Sequence, residues 1–348
     1  MKTADTPKYF TLRRKIAGEM REVVTHHGSH VDELWALQLA IEFATPSFIK
    51  KHCPDGKLYL GIEGSAFDEH PRNGGEGKEE HCCATLMAKA LEEAGLLTTA
   101  EHRRAHQHVM QYVLRDDTSG GHPMELGTVL IALYKQMADR PIEVVHWALD
   151  GFAAKFRNPK GDFTLQTIGN AMYQRGPRYY EHALRWMGIG FDALAAKQSA
   201  FEQALLDLDN GGAAIWTEID HRRDSIKVAV VRSDNWRMNG ACRYRGAGLT
   251  IVRQRVGTTQ IFTNRMNPVN LGKVALALNV LEAKIRGYDG KHLADVIEMG
   301  GRPGSVPGGL WYYDPALNAI MNGSLTYIVE PTRIPLGFVA RAVMDNVL

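Results

Sequence analysis

The sequence predicts an α/β protein: a doubly wound, mainly parallel sheet, then a helical insert, then a second and smaller domain of mixed α/β type. Three observations lead there. The 348 residues exceed one small domain and suit two. Residues 22–138 repeat an order of short apolar strand, polar loop and helical pattern, which favours a parallel sheet covered by helices. After Asn210-Gly211-Gly212 the texture changes to β-branched runs separated by turn residues. The expected domains are therefore 1–140, 141–210 and 211–348.

Taken in order, Glu22 to Thr25 (EVVT) ends a buried strand, His26 to Ser29 forms a polar loop, and DELWALQLAIEFA follows with Leu34, Leu37 and Ile41 at helical spacing. Lys57 to Ile62 (KLYLGI) is a second strand. A loop rich in glycine and charge runs from Glu63 to Lys78, and a helix from about Glu79 to Ala94. Residues 99–113 read as helix, Asp116 to His122 (DDTSGGH) as a loop, and Met124 to Ala138 as helix again. Residues 141–208 are mostly helical, with breaks at Asn158 to Asp162 and Arg175 to Pro177. In the last third, AAIWTEI, SIKVAVV, LTIVRQ and TTQIFT read as strands. They are followed by a helix at Asn270 to Arg286, a glycine-rich loop at Gly300 to Gly309 and a final helix at Leu336 to Leu348.

Hydrophobic residues make up 45% and charged residues 23%, an ordinary globular composition that excludes extensive disorder. The N-terminal MKTADTPKYFTLRRK holds no apolar run of signal type, and no stretch approaches the roughly 20 apolar residues that cross a bilayer. A soluble, cytoplasmic protein without a membrane partner is expected. Cys53, Cys82, Cys83 and Cys242 have no CxxC spacing, so reduced thiols are expected. The net charge is only +2, but nine arginines and Lys227 between His221 and Arg265 face only Asp224 and Asp234, a local excess of +8. That segment should meet an anionic partner.

Ligands of open α/β sheets bind at the carboxyl ends of strands, where helix N-termini also point. THHGSHVDE sits at such a place. His26, His30 and Asp32 (H-x3-H-x-D) can converge from one loop, and imidazole with carboxylate suits Mn, Fe or Zn. Ser29-x-x-Asp32 also reads as a capping box, which competes for the same carboxylate. Two further clusters lie in loops: Asp68-Glu69-His70, and Asp116-Asp117-Thr118, the latter also compatible with an Asx turn. His102-x3-His106, and His81 with Cys82 and Cys83, read as surface polarity and helix packing. Gly308-Gly309 and Asn322-Gly323-Ser324 read as turns.

In this order the clusters resemble the motif series of the DHH phosphoesterase superfamily. THHGSHVDE is similar to the T-H-N-G-x-x-H-x-D-E opening of its melanocyte proliferating gene 1 branch. FDEHPRNGGEGKEEHCCATLMAKAL resembles that branch's YDHHQR segment and the helix after it. TTQIFTNRMNPVNLGKVALALNVLEAKI resembles its late strand, loop and helix. The resemblance spans roughly residues 20–286. It implies a DHH-like metal domain holding two divalent ions, Mn2+ first, with Mg2+, Fe or Zn2+ as alternatives. His26 and His30 would hold one ion, and Asp32 and Asp117 the other. Asp68 and Glu69 would add ligands, and Glu63 would stand for a bridging Asp that aligns near Gly61. Glu69 takes the position of the branch's first tripeptide His.

On the same resemblance, Asp68 and His70 would be catalytic, His70 donating a hydrogen bond or proton to phosphate or leaving group. Asn264, Arg265, Lys273 and Arg72 would contact substrate. Trp236, Tyr244 and Phe262 lie among the arginines, a pattern that suits stacked bases as well as sheet core. The implied activity is two-metal hydrolysis of phosphodiester bonds in short single-stranded RNA or DNA, in the manner of an exonuclease or oligoribonuclease. Hydrolysis of a small phosphoanhydride or cyclic nucleotide, and non-catalytic nucleotide or nucleic-acid binding, stay open beside it. Residues 287–348 have no counterpart in the resemblance and could lengthen the second domain or form a homo-oligomer interface.

Overall fold

The computed structural model describes residues 9–62, 64–68, 81–97, 99–119, 122–158, 162–211, 214–221, 224–264, 269–304, 311–315, 318–323 and 330–347. The described residues divide into two compact units, one within 9–196 and one from Lys197 onward. The division falls at 196/197 instead of at 140 and 210.

In the first unit, β1 (Tyr9–Ile16) and β2 (Glu19–His26) form an antiparallel hairpin, with Tyr9 opposite His26 and Ile16 opposite Glu19. Ala17 and Gly18, both at positive φ, make the two-residue turn whose twist suits such hairpins. A crossover through α1 (Val31–Phe43) and α2 (Pro46–His52) returns the chain to β3 (Lys57–Tyr59), which pairs parallel to β2. The helices α3 (Cys83–Glu93), α4 (Ala100–Ser119), α5 (Leu126–Gln136), α6 (Pro141–Arg157) and α7 (Leu165–Tyr173) complete it, with α8 (Tyr180–Asp209) running across the division.

Every residue of α1 from Val31 to Ala40 is buried, so this helix is the axis of the unit and has no solvent stripe. Trp35 lies against Phe152 of α6 with ring centroids 5.2 Å apart. Trp147 and Trp186 stack at 4.2 Å, and each indole N–H donates to the other's backbone carbonyl. Residues 141–196 therefore share the first unit's core and do not form a separate insert.

The second unit carries one sheet of order β4-β5-β6-β7-β9-β8. Its strands are β4 (Ala214–His221), β5 (Asp224–Arg232), β6 (Leu249–Arg253), β7 (Thr259–Thr263), β8 (Tyr312–Asp314) and β9 (Ala319–Asn322). Along β5 and β6 the side chains alternate between two cores. Val228, Val230, Leu249 and Ile251 pack with α10 (Gly272–Ile285) and α12 (Leu336–Asn346). Ala229, Val231 and Val252 pack with α9 (Met238–Tyr244) and with Ala204 and Leu208 of α8. A further helix, α11 (Gly290–Met299), follows α10.

The α/β class expected from the sequence is present, but neither sheet is mainly parallel. Among the described residues only β2–β3 and β5–β6 pair in parallel, and the remaining pairs are antiparallel. The reason lies in the hairpin. TLRRKI, which the sequence reading assigned to no element, alternates buried Leu12 and Ile16 with charged residues and makes an edge strand. No helix among the described residues is long and apolar enough to cross a membrane.

Candidate metal centre

The end of β2 and the start of α1 form the floor of the centre. His30 is the N-cap of α1 in extended conformation, and Glu33 at the third helical position accepts the His30 backbone N–H through Oε2 at 2.8 Å. The capping carboxylate is therefore Glu33, not Asp32 as the Ser29-x-x-Asp32 spacing suggested. Ser29 turns back instead, donating to the His26 carbonyl at 2.9 Å and sharing a 3.0 Å hydrogen bond with Thr25. Asp32 is left free of capping.

Asp32 is 2% exposed. Its Oδ2 accepts the backbone N–H of Cys83 at 3.2 Å, at the N-terminus of α3. Among the described residues no cationic side chain pairs with it. Burial, then the nearby Glu33 and Asp117 carboxylates, push its carboxyl up to about 7. A buried carboxylate in that state lacks a counter-charge.

Asp116 and Asp117 arrive from the other side. The segment DDTSGGH, expected to be a loop, continues α4 as far as Ser119, so both aspartates lie in the last turns of a helix, where the peptide dipoles disfavour an anion and favour a cation. Arg115 fixes this end by donating to both oxygens of Glu125 at 2.6 Å, and Glu125 also accepts the His122 N–H at 2.9 Å just before α5. Asp116 presses on Gly127 at the start of α5, where a Cβ would collide with its carboxylate. Its Oδ1 is buried without a hydrogen-bond partner among the described residues, and burial pushes this carboxyl up to about 6.

One ligand atom each of His30, Asp32 and Asp117 lies within 4.8 Å of the others, so this group could hold a metal ion. Asp32 and Asp117 are 85 positions apart in the chain, and the fold brings them together. The donor set of one imidazole and two carboxylates suits a hard to borderline divalent ion such as Mn2+. The burial of Asp32 without a cation agrees with that fit.

His26, expected to ligate beside His30, is not in the group. Its Nδ1 pairs with Glu33 Oε1 at 2.7 Å, and its ring lies 5.3 Å from that of Tyr9. Glu33, which the sequence reading assigned no role, is fully buried and holds this loop together, since Oε1 also accepts the Thr25 hydroxyl at 3.2 Å. Its hydrogen bonds outweigh burial and lower its carboxyl below the usual range. The available signal was its place three residues after His30, the N3 position of a capping box.

Asp68 accepts the Gly64 N–H at 2.7 Å and so closes its own turn. Glu63, Glu69, His70, Arg72 and Arg265 lie outside the described residues. In the second unit, Asn264 donates its backbone N–H to the Gly248 carbonyl at 2.9 Å, and Lys273 is exposed in the first turn of α10. His106 is not surface polarity but a core residue, 5% exposed and stacked on Trp35 at 6.5 Å. Cys82 and Cys83 are buried at the start of α3, as helix packing requires.

Of the six described arginines in the segment counted as an anion-facing excess, four are engaged within the second unit, while Arg222, Arg223 and Arg265 lie outside the described residues. Arg245 pairs with Asp209, Arg255 with Asp234, and Arg243 donates to the Thr263 carbonyl at 2.8 Å. Arg253 donates to the carbonyls of Ile334 and Thr332 at 2.6 and 3.0 Å. Trp236, Phe262 and Tyr244 lie under Arg237, Arg243 and Arg245 at 5.5 to 5.7 Å, and Tyr244 is 69% exposed.

No protein-family model, curated protein or solved structure matches this chain.

Proposed function

We propose that the chain is a divalent-cation-dependent phosphoesterase that hydrolyses phosphodiester bonds, acting on short single-stranded nucleic acid. The observation that carries this reading is the convergence of His30, Asp117 and the buried Asp32, which has no cationic partner among the described residues. The motif resemblance supports the reaction class, and the order of the ligand-bearing segments supports the choice of phosphoryl chemistry.

A bound divalent ion would polarise a phosphoryl oxygen and lower the pKa of a water molecule. The chain's own residues do the rest. Asp32 and Asp117 present carboxylate oxygens from two different helices, so the ion's place is set by packing and not by one flexible loop. The N-terminus of α3, whose Cys83 N–H already faces Asp32, favours negative charge nearby and would favour a phosphate as well. A two-ion arrangement would draw on His26 and on Asp68, Glu69 and Glu63, with His70 as proton donor.

One observation favours a short substrate over a long strand. Four of the arginines in the basic segment already hold partners in their own unit, which leaves fewer for a series of backbone phosphates. Hydrolysis of a small phosphoanhydride or cyclic nucleotide is the second reading on that ground.

The test is a substrate panel of short RNA and DNA oligonucleotides, cyclic dinucleotides and pyrophosphate, each with and without Mn2+, using wild type and Asp32→Asn. Cleavage of oligonucleotides that needs Mn2+ and disappears in Asp32→Asn supports the first reading. Turnover of pyrophosphate or a cyclic dinucleotide alone moves the assignment to the second. Metal binding without turnover of any substrate identifies a binding protein.

A further inference from the structure

Gly61 follows β3 at φ +62°, a backbone conformation that side chains disfavour, and its neighbours leave no room for one. A Cβ there would stand 2.5 Å from Glu33 Oε1 and 3.0 Å from Glu33 Cδ. The loop is pinned on both sides of the glycine. Leu60 donates its N–H to the Val24 carbonyl at 3.0 Å, and Gly61 donates to the Phe67 carbonyl at 3.1 Å. The place where a residue-61 side chain would begin is thus occupied by a carboxylate from α1.

That carboxylate has a defined set of partners. Oε2 accepts the His30 N–H, and Oε1 accepts the Thr25 hydroxyl and meets His26 Nδ1 at 2.7 Å. A carboxylate so engaged selects the tautomer in which Nδ1 carries the hydrogen. The Nε2 lone pair of His26 is then left for another partner, and among the described residues none meets it. Carboxylates that hold one nitrogen of an imidazole in this way orient the ring and raise the basicity of the other nitrogen toward a metal.

We infer that Glu33, seated in the space that Gly61 leaves open, is a positioning residue that presents His26 Nε2 as a cation ligand next to the His30–Asp32–Asp117 group. This role rests on the cation reading above. It accounts with one contact for a glycine at positive φ against α1 and for a buried glutamate beside two histidines. Both accepting directions of Glu33 Oε1 are taken by Thr25 and His26, and one of Oε2 by the His30 N–H, so most of this carboxylate is committed to holding the loop.

The experiment measures Mn2+ affinity by titration calorimetry for wild type, Glu33→Gln, Gly61→Ala and Asp32→Asn. The His26 tautomer is followed in the metal-free proteins by imidazole 15N chemical shifts. Gly61→Ala adds backbone strain at positive φ, so Glu33→Gln, which leaves the backbone alone, carries the result if the alanine variant folds poorly. The expected outcome is a wild-type His26 with its hydrogen on Nδ1, mixed tautomers in both Glu33→Gln and Gly61→Ala, and a loss of about 10- to 100-fold in Mn2+ affinity in each. Unchanged affinity in Glu33→Gln, with binding abolished in Asp32→Asn, overturns the positioning role alone. Wild-type affinity in Asp32→Asn overturns the cation reading and the role with it.

Discussion

Asp32 Oδ2 accepts the backbone N–H of Cys83 at 3.2 Å, which joins the first turn of α1 to the first turn of α3 through one buried carboxylate. Two helix N-termini therefore face the same charge, and the C-terminal end of α4 brings Asp117 against it. The helix ends stabilise one carboxylate, while the second carboxylate and the burial work against it. The balance falls on the unfavourable side, as the raised Asp32 carboxyl records.

The metal-free protein should show two opposed pH dependences of stability in one window. The Asp32 carboxyl is raised to about 7, so the folded state holds a proton that the unfolded chain releases above about 4. Its contribution is present in full below about pH 4 and is lost as pH rises through 7. His106, buried beside Trp35, is lowered to about 4 by burial. Its contribution is present above the unfolded value near 6.5 and is lost as pH falls toward 4. Asp116, raised to about 6, acts in the same sense as Asp32, so the stability of wild type in denaturant melts should fall as pH rises through this window, with His106 offsetting part of the loss. Relative to wild type, Asp32→Asn should make the alkaline fall shallower and His106→Leu should make it steeper, each changing the slope by at most roughly 1.4 kcal/mol per pH unit. Identical profiles in all three proteins contradict these assignments.

Arg115 is half exposed, but its partner Glu125 is nearly buried. Arg115→Ala leaves Glu125 with only the His122 N–H and should cost about 1–3 kcal/mol of unfolding free energy. Because this pair fixes the end of α4 beside α5, the variant should also lose Mn2+ affinity, although Arg115 is not in the ligand group. Arg115→Lys should recover part of both. A variant that loses stability while keeping wild-type metal affinity separates the pair from the centre.

Arg253 donates to two backbone carbonyls near the start of α12 and belongs to the fold of the second unit. Arg253→Ala should destabilise that unit by about 2 kcal/mol. The slope of log affinity for a single-stranded oligonucleotide against log salt should not change. An arginine that contacts phosphate would instead lower that slope by about one unit. Filter binding across a salt series, run beside thermal melts, distinguishes the two roles.

Much of the local structure was legible in the residues. The buried run of α1, the helices on either side of Asn158 and Pro177, and the β-branched strands after residue 211 follow from periodicity and turn chemistry. Strand direction was not, because TLRRKI was assigned to no element and the hairpin it makes shows only with its partner β2. DDTSGGH has the composition of a turn, yet α4 runs through it to Ser119 because Arg115 and Asp116 are anchored on α5. Of the centre, the loop bearing His30 and Asp32 could be read from spacing, and Asp117 only through resemblance. Glu33 and Gly61 escaped because their meaning is a contact between residues 28 positions apart. The arginine excess was visible as a count, but the carbonyls and aspartates that absorb it are set by tertiary packing.

The most direct test of the account is anomalous diffraction at the manganese edge from crystals of the protein grown with Mn2+, wild type beside Asp32→Asn. The account predicts an anomalous peak in wild type bonded to a nitrogen of His30 and to carboxylate oxygens of Asp32 and Asp117, and no peak there in Asp32→Asn. A wild-type map without density between these three residues at saturating Mn2+ would contradict it.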